Sequence, residues 1–515
     1  MKARWGTAAA AALALALLGA GCGSDAPAER EAGAKANEGT RVAKQRVQED
    51  GGPPFYEPKG KLVADVGFRP EKDGFGFENY TFGFQDLGPA EMEAIFGERV
   101  CAARQSSECQ LSPAAQAWMD EANKFIKGGH CYGMAVTAEM MFDRLLSPLD
   151  YGGAAVPQLS LIGNARLQTQ IARAWALQAT PKIQLAKFGG TPNQLLDKLT
   201  EALKSHEDTY TLTFWQPDWT AGHAVTPYAV EDKGGGQFAV LMYDNNYPKI
   251  TRAMEFDRNA NTWQYEASPN PGEDSFLYKG DANTKTQYVS ATKTHVGVQP
   301  CPFCPRPAGA RERAYEQVTL SGDSINHSHL LLTDSRGRRT GYVGDRLVQE
   351  IPGVIAAPVI TNQNWRLKME PIYLVPAGLK YKITVDGSRL GAPDAEALSV
   401  IGPGYDAVLS DLEVRPGERH SVTVRAGATR LAYRAPAGRA HSPDIELGFQ
   451  KRKFTVATHK LERGATLTAS VDPSRGLVVS GPTSTRGHAV VGQTTLRPSG
   501  REVTRRRVVR LGGRR

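Results

Sequence analysis

After its first 22 residues, the 515-residue sequence contains no apolar stretch long enough to cross a bilayer as a helix. This absence excludes a helical transmembrane domain downstream of the N-terminal region. Cysteine is scarce, with six residues, and only one Cys-x-x-Cys spacing occurs, which argues against a four-cysteine zinc site. In other respects the composition is ordinary for a folded protein, with 41% hydrophobic and 23% charged residues. The length predicts two to four domains.

The excess of positive charge is concentrated at the C-terminus rather than spread along the chain. The formal net charge is +8, and residues 501–515 contain these arginines: Arg501, Arg505, Arg506, Arg507, Arg510, Arg514 and Arg515. No aromatic residue interleaves with them and no nucleic-acid-binding module is recognisable, so nucleic acid is not an expected partner. We interpret residues 501–515 as a solvated basic tail.

The first 22 residues have the organisation of an export signal. Lys2 and Arg4 precede an apolar stretch at residues 8–18 that is too short for a transmembrane helix. The following Gly19-Ala20-Gly21-Cys22 resembles the bacterial lipoprotein signal, in which the cysteine is lipidated and becomes the new N-terminus. The resemblance implies a lipid anchor on Cys22 and a location outside the cytoplasm. Ordinary signal cleavage, giving a freely secreted protein, is the alternative.

Composition divides the rest of the chain into further segments. Residues 23–54 are rich in Ala, Glu, Lys and Gly and predict a disordered linker. Residues 55–295 place helical periodicity first and strands second, an order typical of an α+β domain. Residues 296–314 are Pro-rich and predict a second linker. Residues 315–500 contain short β-rich runs separated by Gly, Pro and Asp, a pattern typical of a β-sandwich.

Three local patterns define the secondary structure around the candidate site. Ser112-Pro113 predicts the N-cap and first residue of a helix that ends near Ile126. A second helix is predicted to begin at Cys131. Predicted strands at residues 223–230 and 238–243 are separated by a Gly-rich turn, so we expect an antiparallel hairpin.

The sequence Gly128-Gly129-His130-Cys131 is the strongest indication of chemistry. The glycines end one predicted helix and Cys131 begins the next, where unpaired N–H groups favour negative charge. Such a position stabilises a thiolate, which is the nucleophilic form of cysteine, and the same N–H groups can bind the oxyanion of a tetrahedral intermediate. An inert buried cysteine is the alternative interpretation.

Two further motifs complete a candidate triad. His223 begins a predicted strand among apolar neighbours, and Asp244 and Asn245 end the next strand. If the two strands pair, Asp244 or Asn245 can reach the His223 ring and fix its tautomer. A structural histidine and an Asx turn would explain each motif separately. The combined order of cysteine, histidine and aspartate or asparagine on these elements favours catalysis.

This order, with the motifs Gly-His-Ala-Val and Tyr-Asp-Asn-Asn-Tyr-Pro, resembles the papain superfamily of cysteine peptidases, and most closely its bacteriocin-processing branch. The resemblance covers residues 110–265. It implies that Cys131 is the nucleophile, His223 the base and Asp244 the residue that orients the base. With the strand pattern after residue 315, the expected fold class is an α+β papain-like domain followed by an all-β sandwich-like domain.

One residue of the superfamily pattern is missing. Its members usually carry a glutamine several residues before the cysteine, which donates a hydrogen bond to the oxyanion, and residues 121–130 contain no glutamine. Asn123 and His130 are the remaining side-chain candidates for this role. Backbone N–H groups at the helix start are the alternative donors.

The other cysteines indicate disulfides. If the lipidated cysteine and the nucleophile are set aside, four cysteines remain, and an even number in an oxidising compartment predicts two disulfides. The simplest pairs are Cys101–Cys109 and Cys301–Cys304. A four-cysteine zinc site is the less favoured alternative.

The motifs together predict an exported thiol hydrolase that cleaves a peptide or amide bond through an acyl-enzyme on Cys131. The expected partners are a peptide or protein substrate outside the cytoplasm and the membrane, through the N-terminal lipid. No metal or other cofactor is expected, since His327 and His329 have no third ligand nearby and are interpreted as surface residues. Alternatives are acyl transfer to an amine and a non-catalytic, surface-anchored binding or adhesion protein.

Overall fold

The computed structural model describes residues 55–81, 86–311, 313–323, 325–361, 370–425, 429–459, 461–472, 476–481, 488–497 and 501–510. The predicted signal with Cys22, the predicted linker at 23–54 and residues 511–515 of the predicted tail lie outside these ranges. The described residues belong to one compact unit. Within the described part of the chain, no helix combines the length and the apolar character needed to cross a membrane.

The α-helices of the described residues precede residue 206, and three of them, including α5 at Asn164, begin at a residue whose side chain caps the helix. Ser112 accepts a hydrogen bond from the Ala115 N–H, and Pro113 occupies the first helical position, as predicted. Thr191 forms a capping box with Gln194. The helices are α1 (Pro70–Asp73), α2 (Pro89–Phe96), α3 (Pro113–Ile126), α4 (Cys131–Phe142), α5 (Ala165–Leu177), α6 (Pro181–Ala186) and α7 (Pro192–Ser205).

Strands make up most of the regular structure. Those before residue 295 are β1 (Lys61–Asp65), β2 (Cys101–Gln105), β3 (Glu108–Leu111), β4 (Phe188–Gly189), β5 (Tyr210–Phe214), β6 (His223–Gly234), β7 (Gln237–Tyr243), β8 (Thr251–Asp257), β9 (Thr262–Ala267), β10 (Phe276–Gly280) and β11 (Gln287–Ala291). The later strands are β12 (Tyr315–Ser321), β13 (His329–Asp334), β14 (Arg339–Val343), β15 (Arg346–Gln349), β16 (Ile355–Ala357), β17 (Ile372–Pro376), β18 (Tyr381–Asp386), β19 (Asp394–Gly402), β20 (Tyr405–Val414), β21 (Arg419–Arg425), β22 (Arg430–Arg434), β23 (Asp444–Phe449), β24 (Arg452–His459), β25 (Thr466–Asp472), β26 (Gly476–Ser480), β27 (His488–Leu496) and β28 (Glu502–Arg510).

The first large sheet holds the candidate site. Its order is β10-β9-β8-β7-β6-β5-β11-β4, and β1 also pairs with β6. The predicted hairpin is confirmed as β6–β7, with Thr226 opposite Tyr243. The glycines at positions 234–236 all have positive φ, which lets the chain reverse tightly between the two strands.

Helix α4 lies between this sheet and α5. Every residue of α4 from Cys131 to Met141 is buried, and the helix packs against α5, β5 and β6. Gly133 permits the close approach of α5, because a side chain there would collide with the carbonyl oxygen of Ile171. The first residue of α4 is therefore held inside the protein, at the end of a fully buried helix.

Two more large sheets lie after residue 315. One has the order β16-β17-β12-β19-β20-β23-β24-β27-β28, and the other has the order β15-β14-β13-β18-β21-β22-β25-β26. Their buried side chains form a common apolar core that includes Leu330, Tyr373, Val400, Leu447 and Leu467. A two-stranded sheet, β2-β3, lies apart from the three large ones.

Of the residues that the structure describes, 41% lie in strands and 20% in helices, and the strands form four antiparallel sheets. The expected fold class, an α+β papain-like domain followed by a sandwich-like domain, is therefore wrong. Local periodicity identified β6 and β7, but β8, β9 and β10 extend the same sheet beyond them. How many strands join one sheet depends on long-range pairing, which the spacing of apolar residues in a single segment does not specify.

The regions before and after residue 315 pack directly against each other. Trp118 Nε1 donates to Gln317 Oε1 at 3.1 Å. The Gln178 side chain accepts from the Ile360 N–H at 2.6 Å and donates to its carbonyl oxygen at 3.1 Å. Phe303, within the segment predicted as a Pro-rich linker, packs on Trp118. One apolar core therefore contains side chains from both sides of residue 315.

The last described residues form a strand rather than an unpaired tail. Strand β28 pairs with β27 from Glu502 to Arg510. It is the edge strand of its sheet, and it contains Arg505, Arg506 and Arg507. Charged side chains on an edge strand oppose pairing with other chains. Part of the basic C-terminus is therefore an edge strand, which the sequence did not indicate.

Candidate active site

Cys131 occupies the first position of α4, as predicted, and is the free cysteine among the described residues. Its side chain is 2% exposed. Gly129 lies just before it and has a φ of 155°. A side chain at Gly129 would approach the Asn270 side-chain oxygen to 2.6 Å, so the tight connection between α3 and α4 requires glycine. The local sequence thus fixes the thiol at a helix N-terminus.

His223 and Asp244 form a buried hydrogen-bonded pair. His223 begins β6, Asp244 follows β7, and the pairing of the two strands brings His223 Nε2 to 2.8 Å from Asp244 Oδ1. Tyr265 donates its hydroxyl proton to Asp244 Oδ2 at 2.6 Å, and the Asn246 N–H donates to Oδ1 at 2.8 Å. The carboxylate is therefore held in one orientation by three partners, of which the imidazole is one.

The electrostatics of this pair favour the charged forms of both groups. Burial opposes protonation of His223, but the charge and hydrogen bond of Asp244, with smaller contributions from Cys131, raise the pKa of the imidazole above its ordinary value. Burial opposes ionisation of Asp244, but the charge of His223 and the hydrogen bonds lower the pKa of this carboxyl. The His223 Nδ1 atom has no hydrogen-bond partner among the described residues, and Cys131 is close enough to affect the titration of the ring.

Asn245 has a different position from Asp244. Its side-chain nitrogen donates to the carbonyl oxygens of Cys131 and Ala224, each at 3.0 Å. This amide therefore ties the start of α4 to the start of β6 and fixes the spacing between thiol and imidazole. Of the two predicted orienting residues, Asp244 contacts the His223 ring and Asn245 contacts backbone.

The structure places both candidate oxyanion donors in other interactions. The Asn123 side chain accepts from the Leu87 N–H at 3.0 Å and donates to the Leu87 carbonyl at 2.9 Å. His130 Nδ1 lies 2.8 Å from the Tyr80 carbonyl oxygen, which can only accept, so the ring proton is on Nδ1. Burial lowers the pKa of His130 to about 4, which leaves Nε2 without a proton to donate.

Two tyrosines near the site were missed by the sequence analysis. Tyr265 holds Asp244, as described above. Tyr278 on β10 is fully buried, and its hydroxyl has no hydrogen-bond partner among the described residues. Burial and then the charges of Asp244 and Cys131 raise the pKa of Tyr278, so its hydroxyl lies within electrostatic range of both groups. Aromatic residues in strands have no spacing signature that would distinguish them from core packing.

A buried carboxyl on α4 holds the helix against the sheet. Glu139 accepts hydrogen bonds from the hydroxyls of Thr211 at 2.7 Å, Thr226 at 2.9 Å and Thr292 at 2.8 Å. Burial outweighs these bonds and raises the pKa of Glu139 to about 8. Because Cys131 belongs to the same helix, this network contributes to the position of the thiol relative to β6.

The predicted disulfides are confirmed. Cys101 is bonded to Cys109, which joins β2 to β3, and Cys301 is bonded to Cys304. In contrast, the expected surface position of His327 and His329 is wrong, because the two residues are 1% and 6% exposed. His329 Nδ1 lies 2.7 Å from Glu370 Oε2, a partner distant in sequence.

The described residues therefore bring together a thiol at a helix N-terminus, an imidazole and a carboxylate, the groups that nucleophilic catalysis by cysteine requires. Comparisons with protein-family models, curated proteins and solved structures gave no match for this chain. The support for cysteine chemistry is therefore the arrangement of Cys131, His223 and Asp244 alone.

Proposed function

We propose that the protein is a thiol hydrolase that cleaves a peptide or amide bond through an acyl-enzyme on Cys131. The observation that carries this proposal is the 2.8 Å contact between His223 Nε2 and Asp244 Oδ1, with Nδ1 left for the thiol. An orienting carboxylate on one imidazole nitrogen and a nucleophile at the other is the arrangement that activates a weak nucleophile. The helix start adds N–H groups that favour the thiolate.

The first half of the reaction forms the acyl-enzyme. His223 Nδ1 accepts the proton of the Cys131 thiol, and Asp244 stabilises the resulting imidazolium. The thiolate sulfur then bonds to the substrate carbonyl carbon, and the carbonyl oxygen becomes an oxyanion. As the carbon–nitrogen bond breaks, the imidazolium returns the proton to the leaving amine, which departs neutral.

The second half releases the acid product. A water molecule enters the position of the amine, and His223 Nδ1 accepts one of its protons while the oxygen bonds to the acyl carbon. The carbon–sulfur bond breaks, the sulfur regains a proton from the imidazolium, and a carboxylic acid leaves. If an amine takes the place of water, the same steps transfer the acyl group instead.

In this mechanism neither Asn123 nor His130 binds the oxyanion. The first N–H groups of α4 have no acceptor within the helix, and Cys131 is the first residue of that turn. The Tyr278 hydroxyl is a second candidate donor, since it is buried, lies within electrostatic range of Cys131 and is unpaired within the described part of the chain. Donors fixed before the reaction are the effective ones, because they need no reorganisation.

The substrate is expected outside the cytoplasm. The two disulfides support this location, since such bonds persist mainly in oxidising compartments. We further propose that lipid on Cys22 anchors the protein to the membrane and that a peptide or protein is the substrate. Radiolabelled lipid incorporation into the full chain, compared with Cys22→Ala, tests the anchor separately from the chemistry.

The proposal is tested by the rate at which a small electrophile alkylates Cys131. We expect the native thiol to react faster at mildly acidic pH than an ordinary exposed thiol, and His223→Ala to remove this advantage. His206→Ala, which changes an exposed histidine at the end of α7, is the matched control. Equal rates in the native protein, His223→Ala and a simple thiol would reject the proposal.

One observation favours a non-catalytic binding or adhesion protein as the second candidate. Cys131 and His223 are 2% and 0% exposed, so a substrate reaches the thiol only after the site opens. If Cys131→Ser leaves the biological role intact whereas removal of residues 315–515 abolishes it, this second function is the correct one.

A further inference from the structure

Two histidines and one glutamate converge in the sheet that contains β21, far along the chain from the candidate active site. Glu418 lies in the turn before β21, His420 is the second residue of that strand, and His441 lies after β22. His420 Nε2 is 3.6 Å from Glu418 Oε2, and His441 Nε2 is 3.8 Å from Glu418 Oε1. One ligand atom from each residue lies within 4.8 Å of the other two.

Both imidazoles are buried without a partner for the nitrogen that faces the cluster. His420 and His441 are 0% and 3% exposed, and neither Nε2 atom has a hydrogen-bond partner within the described residues. Distances of 3.6 and 3.8 Å to the Glu418 carboxylate are too long for hydrogen bonds. They are close to the separation of about 3.3 Å between two ligands of a tetrahedral zinc ion, whose bonds are about 2.0 Å long.

A second contact orients one of these rings. His420 Nδ1 lies 2.9 Å from the Tyr433 hydroxyl. When the hydroxyl accepts the Nδ1 proton, the lone pair of Nε2 points towards Glu418 and His441. Metal-binding histidines commonly have such a partner on the other ring nitrogen, because it fixes the tautomer and the ring orientation.

The charges around the cluster can accommodate a cation. Arg439 donates to both oxygens of Glu418, at 3.0 and 3.2 Å, and its positive charge opposes a metal ion there. The same guanidinium lies 3.2 Å from Glu413, and Arg415 lies 2.7 Å from Glu413. Glu413 can therefore keep its contact with Arg439 when the Glu418 carboxylate rotates to bind a metal ion.

We propose that Glu418, His420 and His441 bind a zinc ion. Two imidazole nitrogens and one carboxylate are ligands that suit zinc, and three protein ligands leave the fourth tetrahedral position open. A pocket of about 190 Å³ adjoins the cluster at His441 and is lined by Glu413, Arg439 and Ser442 among others. The fourth ligand is then a water molecule or a small anion held beside Arg439.

The test is a zinc titration of the full chain in a Cys131→Ser background, which removes the free thiol of the described residues as a competing ligand. After chelator treatment, competition with a chromophoric chelator should show one zinc ion bound per chain. The double variant His420→Ala/His441→Ala should weaken zinc binding by about 100-fold or more, beyond the loss expected when only a residue that contacts a ligand is changed. His206→Ala, an exposed histidine outside the cluster, should bind as the parent does.

Two further measurements keep the test decisive. Zinc should raise the melting temperature of the parent and not that of the double variant, because a ligand stabilises only the state that binds it. If the double variant does not fold, Glu418→Gln, which preserves size, should bind zinc at least tenfold more weakly. No zinc binding by the parent, or equal affinity in the parent and a folded cluster variant, would overturn the proposal.

Discussion

The Nε2 atom of His223 lies 2.8 Å from Oδ1 of Asp244, although one residue begins a strand and the other follows the next strand. Both side chains are fully buried. A buried charge is costly when it is unpaired, so each group of this pair depends on the other. The contact is possible because the β6–β7 hairpin folds back on itself through the turn at residues 234–236.

Replacing Asp244 by asparagine should slow alkylation of Cys131 by about tenfold or more. The amide preserves the shape but removes the charge that favours the His223 imidazolium, and one pKa unit corresponds to a factor of ten. Asp274→Asn, at an exposed aspartate, is the control and should alkylate at the native rate. An unchanged rate in a folded Asp244→Asn protein would show that the pair has no part in activating the thiol.

The two tyrosines should respond differently to replacement by phenylalanine. Tyr265→Phe removes the 2.6 Å hydrogen bond to the buried Asp244 carboxylate and should lower the free energy of unfolding by about 1.5–3 kcal/mol. Tyr278→Phe removes a hydroxyl that has no partner within the described part of the chain, so we expect a smaller stability change. Chemical denaturation of both variants measures the difference, and equal losses would contradict it.

Stability should decrease with rising pH because of Glu139. Burial raises the pKa of this carboxyl from 4.5 to about 8, so the folded protein retains a proton that the unfolded chain releases between these values. In this window stability falls as pH rises, by at most about 1.4 kcal/mol per pH unit. Glu139→Gln cannot ionise and should lack this component, so it should gain stability relative to the native protein from pH 5 to pH 8.

The control for Glu139 is Glu201→Gln, which changes an exposed glutamate on α7. Denaturation at several pH values should give the same pH profile for this control and the native protein. A difference between the native protein and Glu139→Gln that stays constant over the window would mean that Glu139 ionises normally in the folded state.

Alkylation of Cys131 should depend strongly on the size of the reagent. The side chain is 2% exposed, so a large electrophile requires a greater opening of the protein than a small one does. We expect iodoacetamide to label Cys131 faster, relative to a free thiol, than a bulky maleimide does. Mass spectrometry of the labelled chain measures both rates, and equal relative rates would show that the site is already open in solution.

Local elements of the fold were predictable because their signals are short-range. Ser112 and Pro113 define the start of α3, the glycines before Cys131 separate α3 from α4, and the turn at 234–236 defines the hairpin. The fold class was not predictable in the same way. The nine strands of the first sheet come from segments between Lys61 and Ala291, and no local pattern specifies that they pair with one another.

The candidate site likewise has features that the local sequence predicts and features that it does not. The residue types of Cys131, His223 and Asp244 and the elements that carry them follow from the sequence, whereas their catalytic role remains a proposal. The Asn123 and His130 side chains, which were predicted as oxyanion donors, are engaged by Leu87 and Tyr80, residues distant in sequence. Tyr265 and Tyr278 could not be found from sequence, since only strand pairing brings β9 and β10 near the site.

By itself, the sequence determined the helix start at Cys131 and the hairpin that carries His223 and Asp244, and it indicated two local disulfides as the simplest pairing of four cysteines. These features depend on backbone capping, glycine conformations and short chain separations, which act over a few residues. Only the tertiary structure decided the mostly β architecture, the burial of the thiol, and the meeting of Glu418 with His420 and His441. Those outcomes depend on which distant strands pair and which surfaces lose contact with water.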